Sequence, residues 1–236
     1  MRQYRAMFPR TAVVTGAASG IGAALVSLLR AGGAEVRPLD VVDGFDVSDP
    51  AAWTGVDAVE LACLNAGVTT GATDITDVDE AAYRRIVGAN VDGVVYGVRR
   101  MAEVMEPGGA IVVTASLAGL VAAPQDALYT LTKHAVVGFV RGVAPQLAAR
   151  GIRIGAVAPG FVDTPLLHEG RMRFAEAGFP LLPPEDVAQA ILAAARSDET
   201  GAVWVVQPGR GPERFRFPNV PGPRDASGEA VGLPPT

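Results

Sequence analysis

Cysteine and histidine are scarce in this chain, and each scarcity closes off a kind of chemistry. The one cysteine, Cys63, excludes an internal disulfide, and its apolar setting in Glu60-Leu61-Ala62-Cys63-Leu64 points to a buried strand rather than a reactive thiol. The 2 histidines, His134 and His168, have no cysteine, aspartate or second histidine at ligand spacing, so no metal site is expected. Positive charge is short as well: 20 Lys and Arg against 25 Asp and Glu leave a formal net charge of -5. A nucleic-acid partner needs clustered cations to meet its phosphates, and none is expected here. No stretch approaches the roughly 20 consecutive apolar residues that span a bilayer, because Arg, Asp or Gly interrupts every candidate. Residues 1–10 carry charge without an apolar run of signal-peptide length, so the expectation is a cytoplasmic protein with no membrane association.

Apolar residues, by contrast, are plentiful. They make up 49% of 236 residues, with 19% charged, enough for a sizeable core in one α/β domain. Short apolar runs alternate with longer helical patterns, the signature of βαβ units and a parallel sheet covered on both faces. Strands are expected at 11–15, 36–39, 56–64, 110–114, 152–157 and 202–206, and helices at 20–31, 77–105, 127–150 and 183–196. Gly32-Gly33 should end the first helix, Pro145 should kink the third, and Pro183-Pro184-Glu185-Asp186 should open the fourth. The organisation expected is one domain over 1–207 with a Pro- and Gly-rich tail over 208–236, in which no regular secondary structure is anticipated and which would lie over the domain surface, a neighbouring subunit or solvent.

Tyr129 and Lys133, in Tyr129-Thr130-Leu131-Thr132-Lys133, fall at i and i+4 on one helix face. The ammonium can then lie beside the phenol, and a nearby cation lowers a phenol pKa from about 10 toward the range of a general acid or base. Such a pair suits proton exchange with an alcohol or carbonyl oxygen. The turn Thr15-Gly16-Ala17-Ala18-Ser19-Gly20-Ile21-Gly22 joins the first strand to the first helix. In that context glycine lets the backbone approach a pyrophosphate, and the helix start favours the anion. Asp40, at the end of the second strand, can accept hydrogen bonds from adenosine ribose hydroxyls and would repel a 2′-phosphate. The residues after it are Val41, Val42 and Asp43, with no Arg or Lys, so NAD is expected over NADP.

In motif order, the chain resembles the short-chain dehydrogenase/reductase family over about residues 10–207. The resemblance rests on the Thr-Gly-x-x-x-Gly-Ile-Gly turn, Ser116 and the Tyr-x-x-x-Lys pair; that pair alone would be weak, and the co-occurring motifs give it weight. Asn65-Ala66-Gly67 is similar to the family's Asn-Asn-Ala-Gly, and Asn90 in Ala89-Asn90-Val91-Asp92-Gly93 occupies its helical asparagine position. Ala158-Pro159-Gly160-Phe161-Val162-Asp163-Thr164 resembles the segment that folds over the nicotinamide. The resemblance implies a Rossmann-like, doubly wound, mostly parallel seven-stranded sheet with helices on both faces. It implies Tyr129 as general acid/base, Ser116 positioning the substrate oxygen, Lys133 holding the nicotinamide ribose and depressing the tyrosine pKa, and Asn90 supporting a water in the proton relay. The cofactor contacts it implies are Gly16, Ser19, Gly20, Ile21, Gly22, Asp40, Asp46, Val47, Asn65, Ala66, Gly67, Tyr129, Lys133, Pro159, Gly160, Val162 and Thr164. A homotetramer or homodimer is also implied.

The chain departs from the family pattern in three places. Leu64 replaces the first asparagine, and the interval from Asp40 to Asp46-Val47 is too short for the helix the family usually inserts there. The closing strand reads Trp204-Val205-Val206-Gln207-Pro208-Gly209 in place of Val-Asp-Gly-Gly, and the tail beyond it carries a basic and aromatic patch, Arg210, Arg214, Phe215, Arg216 and Phe217, suited to a partner subunit or to solvent. Substrate-facing loops are expected at 68–76, 117–128 and 161–182, after strand ends. There Leu117, Leu120, Val121, Ala122, Leu166, Leu167, Phe174 and Phe179 supply apolar surface, and Arg171 and Arg173 charge. The expected substrate is a moderately hydrophobic secondary alcohol or its ketone. Two other readings compete: an NADPH-dependent biosynthetic ketoreductase, which Asp40 disfavours, and a catalytically silent dinucleotide-binding protein, which the intact Asn90, Ser116, Tyr129 and Lys133 disfavour.

Overall fold

The chain alternates strand and helix from β1 (Thr11–Thr15) through α1 (Gly20–Ala31), β2 (Glu35–Leu39) and β3 (Leu61–Leu64) in a computed structural model that describes residues 8–167, 173, 174 and 176–232. It continues with α2 (Glu80–Val87), a π-helical turn (Gly88–Asp92), α3 (Gly93–Val104), β4 (Ala110–Thr114), α4 (Ala127–Ala148), β5 (Arg153–Pro159), α5 (Pro184–Arg196), β6 (Val203–Val206) and β7 (Glu213–Arg214). The sheet has seven strands in the order β2-β1-β3-β4-β5-β6-β7, all parallel except the β6–β7 pair.

Strand residues alternate between two packed layers. Val13, Ala62, Leu64, Ile111, Val113, Ile154 and Ala156 face Val94, Val98 and Met101 of α3 and Val136, Val140 and Leu147 of α4. Ala12, Val14, Leu61, Cys63, Val112 and Val157 face Leu25 and Leu29 of α1 and Val187, Ile191 and Leu192 of α5. With both faces covered, the central strands are apolar throughout: β3 and β4 are buried at every position. Each fully buried Leu or Ile contributes about 1.5–3 kcal/mol. Cys63 lies inside this core, where burial pushes its thiol pKa up, consistent with an inert side chain.

The strand order reverses at β1, whose neighbours β2 and β3 are reached in opposite directions. The carboxyl ends of β1 and β3 therefore form the switch point, the position at which open α/β sheets bind their ligands. The second crossover is short: among the described residues, only two 3-10 turns, Val41–Asp43 and Ala52–Gly55, separate β2 from β3. That leaves β2 as an edge strand, and its Glu35, Arg37 and Pro38 suit an edge because charge and a missing N–H discourage further pairing.

Several expected elements differ in extent. The strand anticipated over 56–64 is only Leu61–Leu64. The helix anticipated over 77–105 begins at Glu80, where Asp79 accepts the Ala82 N–H, and is interrupted by the π turn. Pro145 lies inside α4, which runs on to Ala148. The tail is the largest correction. Expected to hold no regular structure, it supplies β7, which pairs antiparallel with β6, and an isolated bridge between Arg224 and Ala230. Phe215 and Phe217 pack against this chain's own α3/α4 layer, with the Arg141 guanidinium 3.7 Å from the Phe217 ring centroid. Of the places anticipated for the tail, the domain's own surface is the one that this aromatic patch takes.

Candidate active site

The glycine turn closes tightly on its neighbours. Gly16 has φ 64°, and a Cβ there would lie 2.8 Å from Ala66 Cα, so only glycine allows β1 to meet the Asn65-Ala66-Gly67 segment this closely. A Cβ on Gly22 would collide with the Gly16 carbonyl, which places the start of α1 directly over the end of β1. Ser19 is the N-cap of α1 in an extended conformation, and its hydroxyl makes no cap bond. It stands with the N–H groups of Gly20, Ile21 and Gly22 at a helix start, where an anion is favoured.

Asp40 closes the other side. Its Oδ2 accepts the Ala18 N–H at 2.9 Å and its Oδ1 the Val42 N–H at 3.2 Å. A carboxylate has about four acceptor positions, so two remain for ribose hydroxyls. Phe45 N–H bonds to Asp40 C=O at 2.9 Å and folds the chain back, which brings Asp46 near Asp40 without the family's intervening helix. Asp46 Oδ1 accepts from Ser48 N and Oγ, both at 2.8 Å, while the Val47 carbonyl accepts from Trp53 Nε1 at 2.9 Å. The Val47 side chain is buried against Gly93.

Two threonines that the sequence reading passed over tie the halves together. Thr15 Oγ1 accepts the N–H groups of Asn65 and Ala66 at 2.9 and 3.0 Å. Asn65 Nδ2 donates to Thr15 C=O at 3.2 Å, and its Oδ1 accepts from Thr114 Oγ1 at 3.0 Å, fastening β1 to β4 across β3. Leu64, where the family has asparagine, is buried in the core. Gly20 would meet Thr164 Cγ2 at 2.9 Å if it carried a Cβ, so the 159–164 segment lies against the glycine turn. Pro159 ends β5, Gly160 N–H bonds to Val206 C=O at 2.9 Å, and Val162 pairs with Leu182.

The polar centre lies at the start of α4. Asp126 caps that helix by accepting the Tyr129 N–H at 2.8 Å. Ser116, just after β4, accepts the Ala118 N–H at 3.1 Å, and its hydroxyl is close enough to the Tyr129 phenol to lower its pKa. One turn on, Lys133 is 4% exposed; its Nζ donates to Thr114 C=O at 2.9 Å and lies 5.5 Å from the Tyr129 ring centroid. Asn90, 0% exposed in the π turn, bonds Val68 N at 2.8 Å, Val68 O at 2.9 Å and Thr132 Oγ1 at 3.0 Å. A Cβ on Gly67 would lie 3.3 Å from Asn90 Oδ1 and 3.4 Å from Lys133 Nζ, so Gly67, Asn90 and Lys133 converge at one point. Thr132 and Asp126 were also missed from sequence, although Asp126 carried a readable signal as a favoured cap residue just before the predicted helix.

The electrostatics differ from the sequence expectation. An acidified phenol was anticipated beside Lys133. Burial instead pushes Tyr129 up to about 12, outweighing the nearby Ser116 hydroxyl, which lowers it, and reinforced by the Asp126 charge. Burial also pushes Lys133 down to about 8. Loss of water dominates at both groups and favours their neutral forms.

The apolar rim contains Leu117 and Leu120, half-buried, with Val121, Phe161, Leu166 and Phe179 exposed. Phe161, Phe174 and Phe179 form an aromatic cluster with centroids 4.4 to 5.7 Å apart. Arg173 is exposed. Arg171 and His168, named from sequence, lie outside the described residues. Among those described, no group of three His, Cys, Asp or Glu is arranged to hold a metal, and no helix is long and apolar enough to cross a membrane.

A glycine cradle at a helix start, a carboxylate at the neighbouring strand end and a Ser–Tyr–Lys constellation at the switch point fit a nicotinamide dinucleotide, and together they define a dinucleotide-dependent oxidoreductase. The pattern of the family described as Enoyl-(Acyl carrier protein) reductase matches residues 38–209. The chain is 34% identical to cis-4-hydroxycyclohexanecarboxylate dehydrogenase of Sinomonas cyclohexanicum, over 85% of this chain and 96% of that one. It is 32% identical to cyclohexanol dehydrogenase of Acinetobacter sp. (strain SE19), over 84% and 93% of the two. Among solved structures, 3-ketoacyl-(acyl-carrier-protein) reductase from Brucella melitensis complexed with NADH superposes with a TM-score of 0.75 at 27% identity, covering 86% of this chain and 99% of that one. The chain belongs to the short-chain dehydrogenase/reductase family.

Proposed function

We propose that this protein interconverts a moderately hydrophobic secondary alcohol and its ketone with NAD, using Tyr129 as general acid/base. The observation that carries the reading is the convergence of Ser116, Tyr129 and Lys133 at the start of α4, with the buried Lys133 Nζ 5.5 Å from the Tyr129 ring centroid and held on Thr114 C=O at 2.9 Å. The bound nicotinamide supplies the hydride acceptor or donor. Ser116 orients the substrate oxygen, and Tyr129 Oη takes the hydroxyl proton during oxidation or returns it to the carbonyl oxygen during reduction. With its pKa near 12, the phenol is protonated at neutral pH and ready to donate. The Lys133 ammonium opposes the cost of removing that proton and, in this reading, holds the nicotinamide ribose; Asn90 supports the relay water.

Gly16, Ser19, Gly20, Ile21 and Gly22 cradle the pyrophosphate in this scheme, and Asn65, Ala66, Gly67, Pro159, Gly160, Val162 and Thr164 line the nicotinamide. Asp40 selects NAD through its remaining acceptor positions, supported by the exposed Val41 and Val42, which offer no cation to a 2′-phosphate. Asp46 has Oδ2 left for the adenine amino group, and Val47 backs it from the core. The substrate class is supported by the apolar rim and by the alicyclic alcohols that name two relatives. Self-association as a homodimer or homotetramer and a cytoplasmic location complete the reading, supported by family membership.

Nicotinamide absorbance followed with NAD and NADP over a panel of alcohols and ketones, cyclohexanol among them, tests the proposal. Cyclic secondary alcohols should turn over with NAD. Tyr129→Phe should bind NAD normally and lose about 10²–10⁴-fold in turnover. Turnover of small polyols alone, or near-normal turnover by Tyr129→Phe, would overturn it.

A further inference from the structure

The loop after β3 reaches α2 without regular structure at its start, yet three consecutive residues are held by side chains from other elements. Asn90 binds both the N–H and the C=O of Val68, at 2.8 and 2.9 Å. Arg85 donates to the Thr69 carbonyl at 3.0 Å. Asp126 Oδ2 accepts the Thr70 N–H at 2.9 Å while its Oδ1 caps α4 on the Tyr129 N–H at 2.8 Å. One carboxylate therefore ties this loop to the residue that bears the phenol.

Capping alone does not require aspartate, because Ser, Thr or Asn satisfies a helix N-terminus about as well. The second acceptor oxygen distinguishes it: serine has one short oxygen, and asparagine offers a donor where Thr70 presents another donor. The loop follows the carboxyl end of β3, on the ligand side of the sheet. An unpinned loop of this kind samples many conformations, and a pocket wall that moves orients a substrate poorly.

We propose that Asp126 is a positioning residue for the reaction, clamping Thr70 to the first turn of α4 so that residues 68–70 form a fixed wall of the alcohol pocket. The inference rests on the function proposed above. Its bridge is structural and can be tested without turnover.

The experiment compares the full-length protein with Asp126→Ser and Asp126→Asn, by amide hydrogen exchange and by kinetics with cyclohexanol and NAD. Asp126→Ser keeps a cap but cannot reach Thr70; Asp126→Asn keeps one acceptor and loses the other. Thr70 amide exchange should accelerate about tenfold or more in Asp126→Ser, and that of Thr70 or Tyr129, whichever the single amide oxygen leaves, in Asp126→Asn, as expected when a hydrogen bond to a charged group is lost. The kcat/KM for cyclohexanol should fall about tenfold, mostly through KM, while the KM for NAD stays unchanged. Unchanged exchange at Thr70 in folded Asp126→Ser overturns the bridge, as does unchanged exchange at both Thr70 and Tyr129 in folded Asp126→Asn. Faster exchange with unchanged cyclohexanol kinetics overturns the wall. A wild-type protein that oxidises no alcohol overturns the proposed function instead, and the exchange comparison still decides whether Asp126 clamps the loop.

Discussion

Asn90 and Val68 are joined by two hydrogen bonds that run in opposite directions, Val68 N–H to Oδ1 at 2.8 Å and Nδ2 back to Val68 C=O at 2.9 Å. The remaining Nδ2 hydrogen goes to Thr132 Oγ1 at 3.0 Å, so the fully buried side chain is committed to the protein. Of its hydrogen-bonding positions only the second lone pair of Oδ1 has no protein partner, and the residue sits in a π turn, a departure from the regular α ladder.

The side chain should accordingly matter as much for stability as for rate. Asn90→Ala leaves the Val68 N–H and C=O without their partner and Thr132 without its donor. We expect a loss of about 2–4 kcal/mol, since each buried unpaired group costs about 1–3 kcal/mol. Asn90→Asp retains the acceptor but loses both donors, and should fall between. Urea denaturation of the two variants checks this; a loss below about 0.5 kcal/mol for Asn90→Ala would mean that the paired bonds do not hold the loop.

Lys133 gives a pH-dependent signature. Its folded pKa of about 8 lies below the usual 10.5, so the folded state binds fewer protons than the unfolded chain between those values. Stability contributed by this group rises with pH across that window, and the full burial penalty applies below about 8. Lys133→Met removes the charge but leaves Thr114 C=O unpaired. Near pH 7 the two effects should nearly cancel. By about pH 10 the wild type should gain about 3 kcal/mol relative to the variant, since each pKa unit is about 1.4 kcal/mol. Urea midpoints at the two pH values check the sign, and a gap that narrows on raising the pH refutes the assignment.

Layering and the central strands were legible in the sequence because both sheet faces are covered and the strands read as unbroken apolar runs, as in β4. The site motifs were legible because glycine, Ser116 and the Tyr129–Lys133 spacing reflect local geometry. What stayed hidden depended on non-local partners. Thr15 and Thr114 look like ordinary strand-end residues until Asn65 joins them. The acidified phenol was misjudged because spacing fixes which side chains are neighbours, not how much water each loses; desolvation dominates at both. The tail was misjudged because Pro and Gly content describes local preference, whereas β7 exists through its pairing with β6.

Cofactor preference should hinge on Asp40. Asp40→Ala removes the carboxylate that would repel a 2′-phosphate, and Val41→Arg places a guanidinium at an exposed position beside it. The double variant should shift the NADP to NAD ratio of catalytic efficiencies by about tenfold or more, as loss of one charged hydrogen-bond partner predicts. Asp40 also holds the Ala18 N–H, so the single Asp40→Ala variant should weaken binding of both dinucleotides. An unchanged ratio in the double variant would remove Asp40 from the selection.

The tail should be a stability element of its own subunit. Deleting residues 212–236 uncovers the β6 edge, where Phe215 N–H now bonds to Val203 C=O at 2.8 Å, and removes two half-buried phenylalanines and the Arg141–Phe217 contact. Half-burial of two Phe side chains is worth about 2–3 kcal/mol. That corresponds to a fall in Tm of roughly 4–12 °C for a chain of this size. An exposed edge strand also invites pairing with other chains, so light scattering on heating should begin earlier than in the full chain. Phe217→Ala removes only the ring and its cation–π partner, so it should cost about 1 kcal/mol without uncovering the edge. If the truncated chain melts at the wild-type temperature, the tail contributes nothing to the fold and its packing on α4 is incidental.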